Sequence, residues 1–178
     1  MSASLAGRAS LALVLAAVAG LPSSAAAQYR LPTIVSTVKA DSLEQVAFEL
    51  RNAGRYRDAA RVYRRSADYR AAEDSMGFKC LTEAAALAYA GGDRSGARTD
   101  MARAAERALA RGDLKSAAHA YLDAAWIAQE QKQPRQVWEL GHRAEMLATS
   151  TLLSESDRGS ILQRITKAPG RTQLVIGR

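Results

Sequence analysis

The fold of this chain is decided by residues 54–67, which read Gly54-Arg55-Tyr56-Arg57-Asp58-Ala59-Ala60-Arg61-Val62-Tyr63-Arg64-Arg65-Ser66-Ala67. A glycine opens the stretch, and small or aromatic residues then recur at Ala59, Tyr63 and Ser66, at spacings of four and three. Residues at these spacings share one face of a helix. The stretch therefore predicts an amphipathic helix that is entered from a glycine turn.

The same frame, a glycine turn followed by an apolar stripe, recurs further along the chain. Gly92 leads to Ala97, Met101 and Ala104, Gly112 leads to Ala117, Tyr121 and Ala124, and in a fainter copy Gln133-Pro134 leads to Val137, Gly141 and Ala144. Helices joined by short turns lie next to each other and run antiparallel. Repetition of such units builds a stacked helical array. The sequence predicts an all-α fold of about seven antiparallel helices.

Residues 40–73 carry a more specific pattern. An apolar stripe on a first helix is followed by a turn glycine and a second helix, through Leu43, Val46, Ala47, Leu50, Gly54, Tyr56, Ala59, Tyr63 and Ser66. These positions resemble a tetratricopeptide repeat, whose unit is a pair of antiparallel helices. The resemblance covers roughly residues 41–148 and implies a right-handed α-α superhelical stack. The proline that usually closes each unit is absent after Asp68 and Ala104.

The resemblance also implies a binding surface. Members of this family commonly bind peptides in the groove lined by their first helices, and one subgroup clamps a terminal carboxylate with a lysine and an asparagine. The matching positions here hold Glu44 and Phe48, so that clamp is absent. A groove of hydrophobic or mixed character is expected, with Glu44 and Phe48 as candidate partner-binding residues.

The N-terminus has the three regions of a secretory signal peptide. Arg8 supplies positive charge, residues 11–19 are apolar, and Ala25-Ala26-Ala27 offers the small residues of a cleavage site. The alternative is a membrane anchor, but the apolar run is shorter than the ~20 residues that span a bilayer. We expect cleavage after Ala27, no membrane span afterwards, and a soluble protein in a bacterial periplasm or secreted beyond it.

Four segments follow from these patterns. With 178 residues, the chain is expected to hold one domain with a core of its own. The segments are a signal peptide (1–27), an extended lead-in (28–40), a helical repeat domain (41–167) and a C-terminal tail (168–178). Asp41 or Ser42 is expected to cap the first helix, and residues 154–167 to cap the array.

The second predicted helix is rich in arginine. Four of its arginines are candidate partner-binding residues: Arg57, Arg61, Arg64 and Arg65. The first three are expected to share the outward side of the helix, where grouped guanidiniums bind carboxylates or phosphates in bidentate fashion. The formal net charge of +7 also admits an acidic or anionic ligand. The alternative is a solvated helix face, with Tyr56 and Tyr63 in the core.

No combination of residues is typical of an enzyme. His119 and His142 are expected to face solvent, and neither has metal-ligand spacing. Cys80 is the only cysteine and falls on an apolar stripe, so it is expected in the core. The sequence predicts no catalytic residue, no metal and no cofactor.

These observations favour a non-catalytic, exported scaffold that binds another protein or a peptide in the bacterial cell envelope. The alternative is a polyanion-binding module that uses the arginine-rich face of the second helix. Export argues against nucleic acid as the partner. Salt would separate the two hypotheses, because polyanion binding weakens steeply as ionic strength rises and burial in a groove weakens much less.

Export should remove residues 1–27. The intact mass of protein recovered from the periplasm should correspond to a chain that begins at Gln28. A product that retains residues 11–19 and fractionates with membranes would contradict this prediction.

Overall fold

The computed structural model describes residues 35–167, and this part of the chain is all-α. Seven helices follow one another without a strand among the described residues: α1 (Thr37–Asn52), α2 (Tyr56–Asp68), α3 (Ser75–Ala90), α4 (Arg94–Ala110), α5 (Leu114–Glu130), α6 (Pro134–Ala148) and α7 (Glu155–Lys167). Consecutive helices pack against each other, which confirms the predicted helical stack. The predicted signal peptide, most of the lead-in and the C-terminal tail lie outside the described residues.

The turns explain the repeated frame of the sequence. Gly54, Gly92 and Gly112 have φ angles of 74°, 79° and 77°, in the left-handed region that L side chains rarely adopt. The glycine that opens the first three copies of the frame therefore fits the left-handed backbone of the turn. In the next turn Lys132 takes a similar conformation, with φ 55°. A lysine thus stands where the earlier turns have glycine, which explains why the last copy of the frame is the faintest in the sequence.

The first helix begins earlier than the sequence predicts. Neither Asp41 nor Ser42 caps it, because Ser36 is the N-cap residue and residues 37–40 are already helical. The backbone N–H of Ser36 donates to the carbonyl of Tyr69 at 2.9 Å, which fixes the start of α1 against the end of α2. This tertiary contact outweighs the extended preference of the β-branched residues before Ala40.

The helices form two layers that are joined by side chains. Contacts link α1 to α3, α3 to α5 and α5 to α7, so these helices make one layer, called here the odd layer. Contacts also link α2 to α4 and α4 to α6, which make the even layer. The linking pairs are Arg51–Glu83, Tyr89–Trp126 and Lys115–Asp157 in the odd layer, and Arg103–Asp68 and Arg143–Glu106 in the even layer.

Alanine makes up most of the core between the layers. On α4 and α5 the fully buried residues include Ala97, Ala104, Ala117 and Ala124. Larger side chains enter at a few places only, and the large ones that are fully buried include Leu81 and Ile161. The helices therefore pack closely over small side chains, as the alanine-rich composition indicates.

The two tyrosines of α2 behave differently. Tyr63 is 8% exposed and lies in the cluster that joins α2 to α3 and α4. Tyr56 was expected in the core but is 42% exposed, because it is the first residue of α2 and lies at the end of the stack.

The burial of Tyr63 gives a stability test. Tyr63→Ala should lower the free energy of unfolding by ~3–5 kcal/mol, as truncation of a buried aromatic ring does. Arg61→Ala, on an exposed part of the same helix, should change it by no more than ~0.5 kcal/mol. Urea denaturation followed by circular dichroism measures both variants. Equal midpoints would contradict the assignment of Tyr63 to the core.

Candidate functional site

The arginines of α2 do not form one open cluster. Arg57 Nε donates to the carbonyl of Gly91 at 2.8 Å, and Arg64 Nε pairs with Asp100 Oδ2 at 2.6 Å. Both side chains thus reach across to α4 and to the turn before it. Arg61 pairs with Asp58 of its own helix at 2.6 Å, and Arg65 is exposed in the last turn. Three of the four candidates are engaged in contacts within the chain.

The Arg64–Asp100 pair is the most buried of these contacts. The Asp100 side chain is 2% exposed, and burial raises the pKa of this carboxyl above its ordinary value. Arg64 opposes that shift by donating a hydrogen bond to the ionised form. Because Arg64 compensates this buried carboxylate, its contact with Asp100 is a structural one that joins α2 to α4.

Glu44 belongs to a second internal network. Its carboxylate accepts hydrogen bonds from Arg70 Nη2 at 2.6 Å, from Ser66 Oγ at 3.0 Å and from Cys80 Sγ at 3.1 Å. Arg70, whose side chain is 5% exposed, also pairs with Asp41 and Asp74. Burial alone would lower the pKa of Arg70, but its carboxylate partners raise that pKa above its ordinary value. Glu44 therefore faces the interior of the helix stack.

The other candidate of α1, Phe48, lies on the surface of the odd layer. It is 50% exposed and stands one turn after Glu44. Tyr89 and Trp126 lie further along the same layer, with ring centroids 5.8 Å apart, and Trp126 is 44% exposed. Tyr89 Oη also donates to Glu130 at 2.8 Å. The odd layer thus presents aromatic side chains to solvent on α1 and α5.

A small cavity lies between α1 and α3 on this layer. It has a volume of about 300 Å³ and includes Arg51, Lys79 and Glu83 in its lining. Arg51 and Glu83 form an ion pair of 3.2 Å at its edge. Glu44 and Cys80 also line it, so the cavity lies beside the internal network.

A larger cavity, of about 510 Å³, lies on the even layer between α4 and α6. Its lining is apolar at the base and charged along the sides, and consists of Leu81, Arg98, Thr99, Ala102, Arg103, Glu106, Arg107, Gln136, Glu139, Leu140 and Arg143. Sequence reasoning missed this site. The signal that pointed to it was the series of arginines on α4, which recurs at spacings of five and four. The apolar stripes do not show which helix faces that series.

The histidines have different surroundings. His119 was expected to face solvent, but it is partly buried against Arg164 of α7. The distance between Nη1 of Arg164 and Nδ1 of His119 is 3.2 Å. Burial, followed by the charge of Arg164, lowers the pKa of His119. His142 is exposed as expected, and its ring stacks on Trp138 with centroids 5.3 Å apart.

Comparisons with known proteins add no relative. No family model, no curated protein and no solved structure matches the chain. Among residues 35–167, no helix combines the length and the apolar character needed to cross a membrane.

The surroundings of Cys80 give a test of the internal network. Cys80 is 2% exposed, and burial together with the carboxylate of Glu44 raises the pKa of its thiol to about 12. Only the thiolate reacts readily with disulfide reagents. The thiol of the native chain should therefore react with Ellman's reagent at pH 8 at least ~100-fold more slowly than that of the urea-unfolded chain. Comparable rates would show that Cys80 is accessible.

Proposed function

We propose that this chain is a non-catalytic, exported scaffold that binds another protein or a peptide through its odd layer. The observation that carries the proposal is Trp126, a large aromatic residue that is 44% exposed and held in place by Tyr89. Tryptophan and tyrosine are enriched at the centres of protein interfaces, where they supply much of the binding energy. A fixed ring loses little conformational entropy when a partner covers it.

The surface around Trp126 fits a peptide or a protein loop. On α3, Lys79, Glu83, Ala86 and Ala90 are exposed at spacings of four, three and four. The two alanines add small side chains to this exposed face of α3, and Lys79 and Glu83 supply hydrogen-bonding groups. Phe48 stands on the parallel helix α1. This combination of aromatic, small and charged residues is typical of a binding surface.

The tetratricopeptide-like architecture is part of the proposal. It is supported by paired helices of similar length, by glycine turns of one conformation, and by a two-layer arrangement in which α1, α3 and α5 share a surface. In that family the first helices of the units line the peptide-binding groove, and α1, α3 and α5 are the corresponding helices here. Export into a bacterial cell envelope rests on the signal-peptide pattern of residues 1–27.

The geometry favours this function over polyanion binding by α2. A polyanion site needs guanidiniums whose donors are available to phosphate or sulfate groups. Arg57, Arg61 and Arg64 instead donate to Gly91, Asp58 and Asp100 of this chain. A polyanion would have to displace these partners, one of which is a buried carboxylate.

Two tryptophans allow a matched test of the odd layer. Trp126 is 44% exposed on α5 and Trp138 is 40% exposed on α6, so Trp126→Ala and Trp138→Ala remove similar exposed areas from different layers. Immobilised wild-type and variant chains would be incubated with an envelope extract of the source organism, and bound proteins quantified by mass spectrometry. We expect a specific partner to be retained by the wild type and by Trp138→Ala, and to be depleted at least ~10-fold by Trp126→Ala.

Each outcome of this test bears on the proposal. Loss of the same partner in both variants would indicate nonspecific adsorption to exposed rings. Retention of every specific partner by Trp126→Ala would show that the odd layer is not the binding surface. Thermal unfolding of the two variants, measured beforehand, confirms that both are folded.

A further inference from the structure

The helix stack ends at α6 and α7 with a surface on which no other helix of residues 35–167 packs. On α6, Val137 is buried in the core and Arg143 faces α4, where it pairs with Glu106. At 100° per residue, Arg143 stands ~120° from Val137 in one direction and Trp138 ~100° in the other. Trp138, which is 40% exposed, therefore lies on the flank of α6 that points away from the stack.

The last helix has the same arrangement. Ile161 of α7 is fully buried, and Arg164 reaches Asp123 of α5 on one flank. Leu162 lies on the opposite flank, ~100° around the helix from Ile161, and is 45% exposed. Helical arrays usually end in a polar outer face. Here a tryptophan and a leucine face outward beyond the last pair of helices.

Leu162 lies at the same height as the exposed rings of α6. It stands seven residues after the start of α7, and Gly141 stands seven residues before the end of α6. Because the two helices run antiparallel, Leu162 is level with Gly141 and therefore lies between Trp138 and His142. The rings of Trp138 and His142 stack with centroids 5.3 Å apart. These groups form one surface, called here the end face, which consists of Arg135, Trp138, His142, Glu145 and Leu162.

The four residues that α6 contributes follow the spacing of a helix that packs against another helix. Arg135, Trp138, His142 and Glu145 are all exposed and recur at intervals of three, four and three. The arginine stands three residues before the stacked rings and the glutamate three residues after them. The strip is therefore symmetric in spacing about its midpoint, with opposite charges at its two ends.

Such a strip is complementary to its own reversed copy. In an antiparallel pair of α6 helices, the register that places Trp138 beside the second copy's His142 also places Arg135 beside the second copy's Glu145. Two-fold symmetry makes each of these contacts twice. Leu162, level with the midpoint of the strip, falls near the symmetry axis. A parallel pairing would instead place like charges opposite each other, at a cost in affinity.

We propose that a second copy of this chain docks on the end face and forms a two-fold dimer, with α6 antiparallel to α6 and α7 beside α7. Trp138 and Leu162 supply the apolar area that is removed from water. Exposed ion pairs add little affinity, so the contacts between Arg135 and Glu145 mainly fix the orientation and the register. Within one copy, Glu145 lies 3.8 Å from His142, and the second copy's Arg135 brings a permanent positive charge to the same carboxylate.

The dimer and the odd-layer function are independent proposals. The end face does not include Trp126, so either surface can act without the other. A copy of the chain retained from an envelope extract is identified by its own peptides, which separates it from any other partner.

The first test is sedimentation velocity of the full chain over a ~100-fold range of concentration. We expect the mass to rise from 19.1 kDa toward twice that value. Leu162→Ala should weaken the dimer at least ~10-fold, because it removes apolar area from both copies. Leu152→Ala removes the same atoms from a residue that is 85% exposed in the turn after α6, outside the antiparallel overlap, and should weaken the dimer less than ~2-fold.

Charge reversal tests the register. Arg135→Glu and Glu145→Arg each place like charges opposite each other at both ends of the interface, so each variant alone should weaken the dimer at least ~10-fold. When the two variants are mixed, every arginine of one chain faces a glutamate of the other. We therefore expect heterodimers in the mixture, at concentrations where each variant alone is monomeric. Recovery on mixing also shows that neither substitution acts by unfolding the chain.

Four outcomes would overturn the proposal. A full chain that stays monomeric over the whole range does so, as does growth beyond the dimer, which indicates head-to-tail stacking of copies. Unchanged dimers in both charge variants, or no association when the two are mixed, show that another face holds the copies together. If a chain that stops at Lys167 dimerises and the full chain does not, residues 168–178 occupy the end face in place of a second copy.

Discussion

Close packing of helices over alanine is the constraint on which the rest of this structure depends. The faces that meet between the two layers consist largely of residues whose side chain is one methyl group, such as Ala97, Ala104, Ala117 and Ala124. Small side chains bring helix axes toward the short end of the usual range of 8–10 Å. The same closeness makes these positions intolerant of larger residues, because overpacking forces both helices to move. Each alanine also buries little apolar surface, so other interactions must add stability.

Arginines that cross between helices provide many of those interactions. Arg107 reaches from α4 to the carbonyls at the end of α2, where helix dipoles favour positive charge. Its path passes over Gly77 of α3, and a Cβ atom at that position would collide with the guanidinium. A glycine costs ~1 kcal/mol relative to alanine inside a helix. Here it leaves the space through which Arg107 satisfies backbone groups that α2 cannot satisfy within itself.

The sequence predicts the architecture better than the surfaces, for a physical reason. Helical periodicity and glycine turns are local properties, and they predicted the helices, the stack and the burial of Tyr63. The first turn of α1 was missed because it depends on a hydrogen bond from the backbone N–H of Ser36 to the carbonyl of Tyr69, a residue that is distant in sequence. Arg57 and Arg64 were placed on one side of α2, but periodicity does not show what lies across from that side. A long guanidinium side chain finds partners on a neighbouring helix, and these partners follow only from the packing.

The two layers present different chemistry because each contains every second helix. Helices of one layer run parallel to each other, so corresponding positions form rows across the layer, such as Arg51 beside Glu83 and Glu106 beside Arg143. Such rows distribute functional groups along a surface. A ligand that meets several groups of a row must itself be extended. The aromatic row of the odd layer and the charged row of the even layer therefore differ in the side chains that they present to solvent.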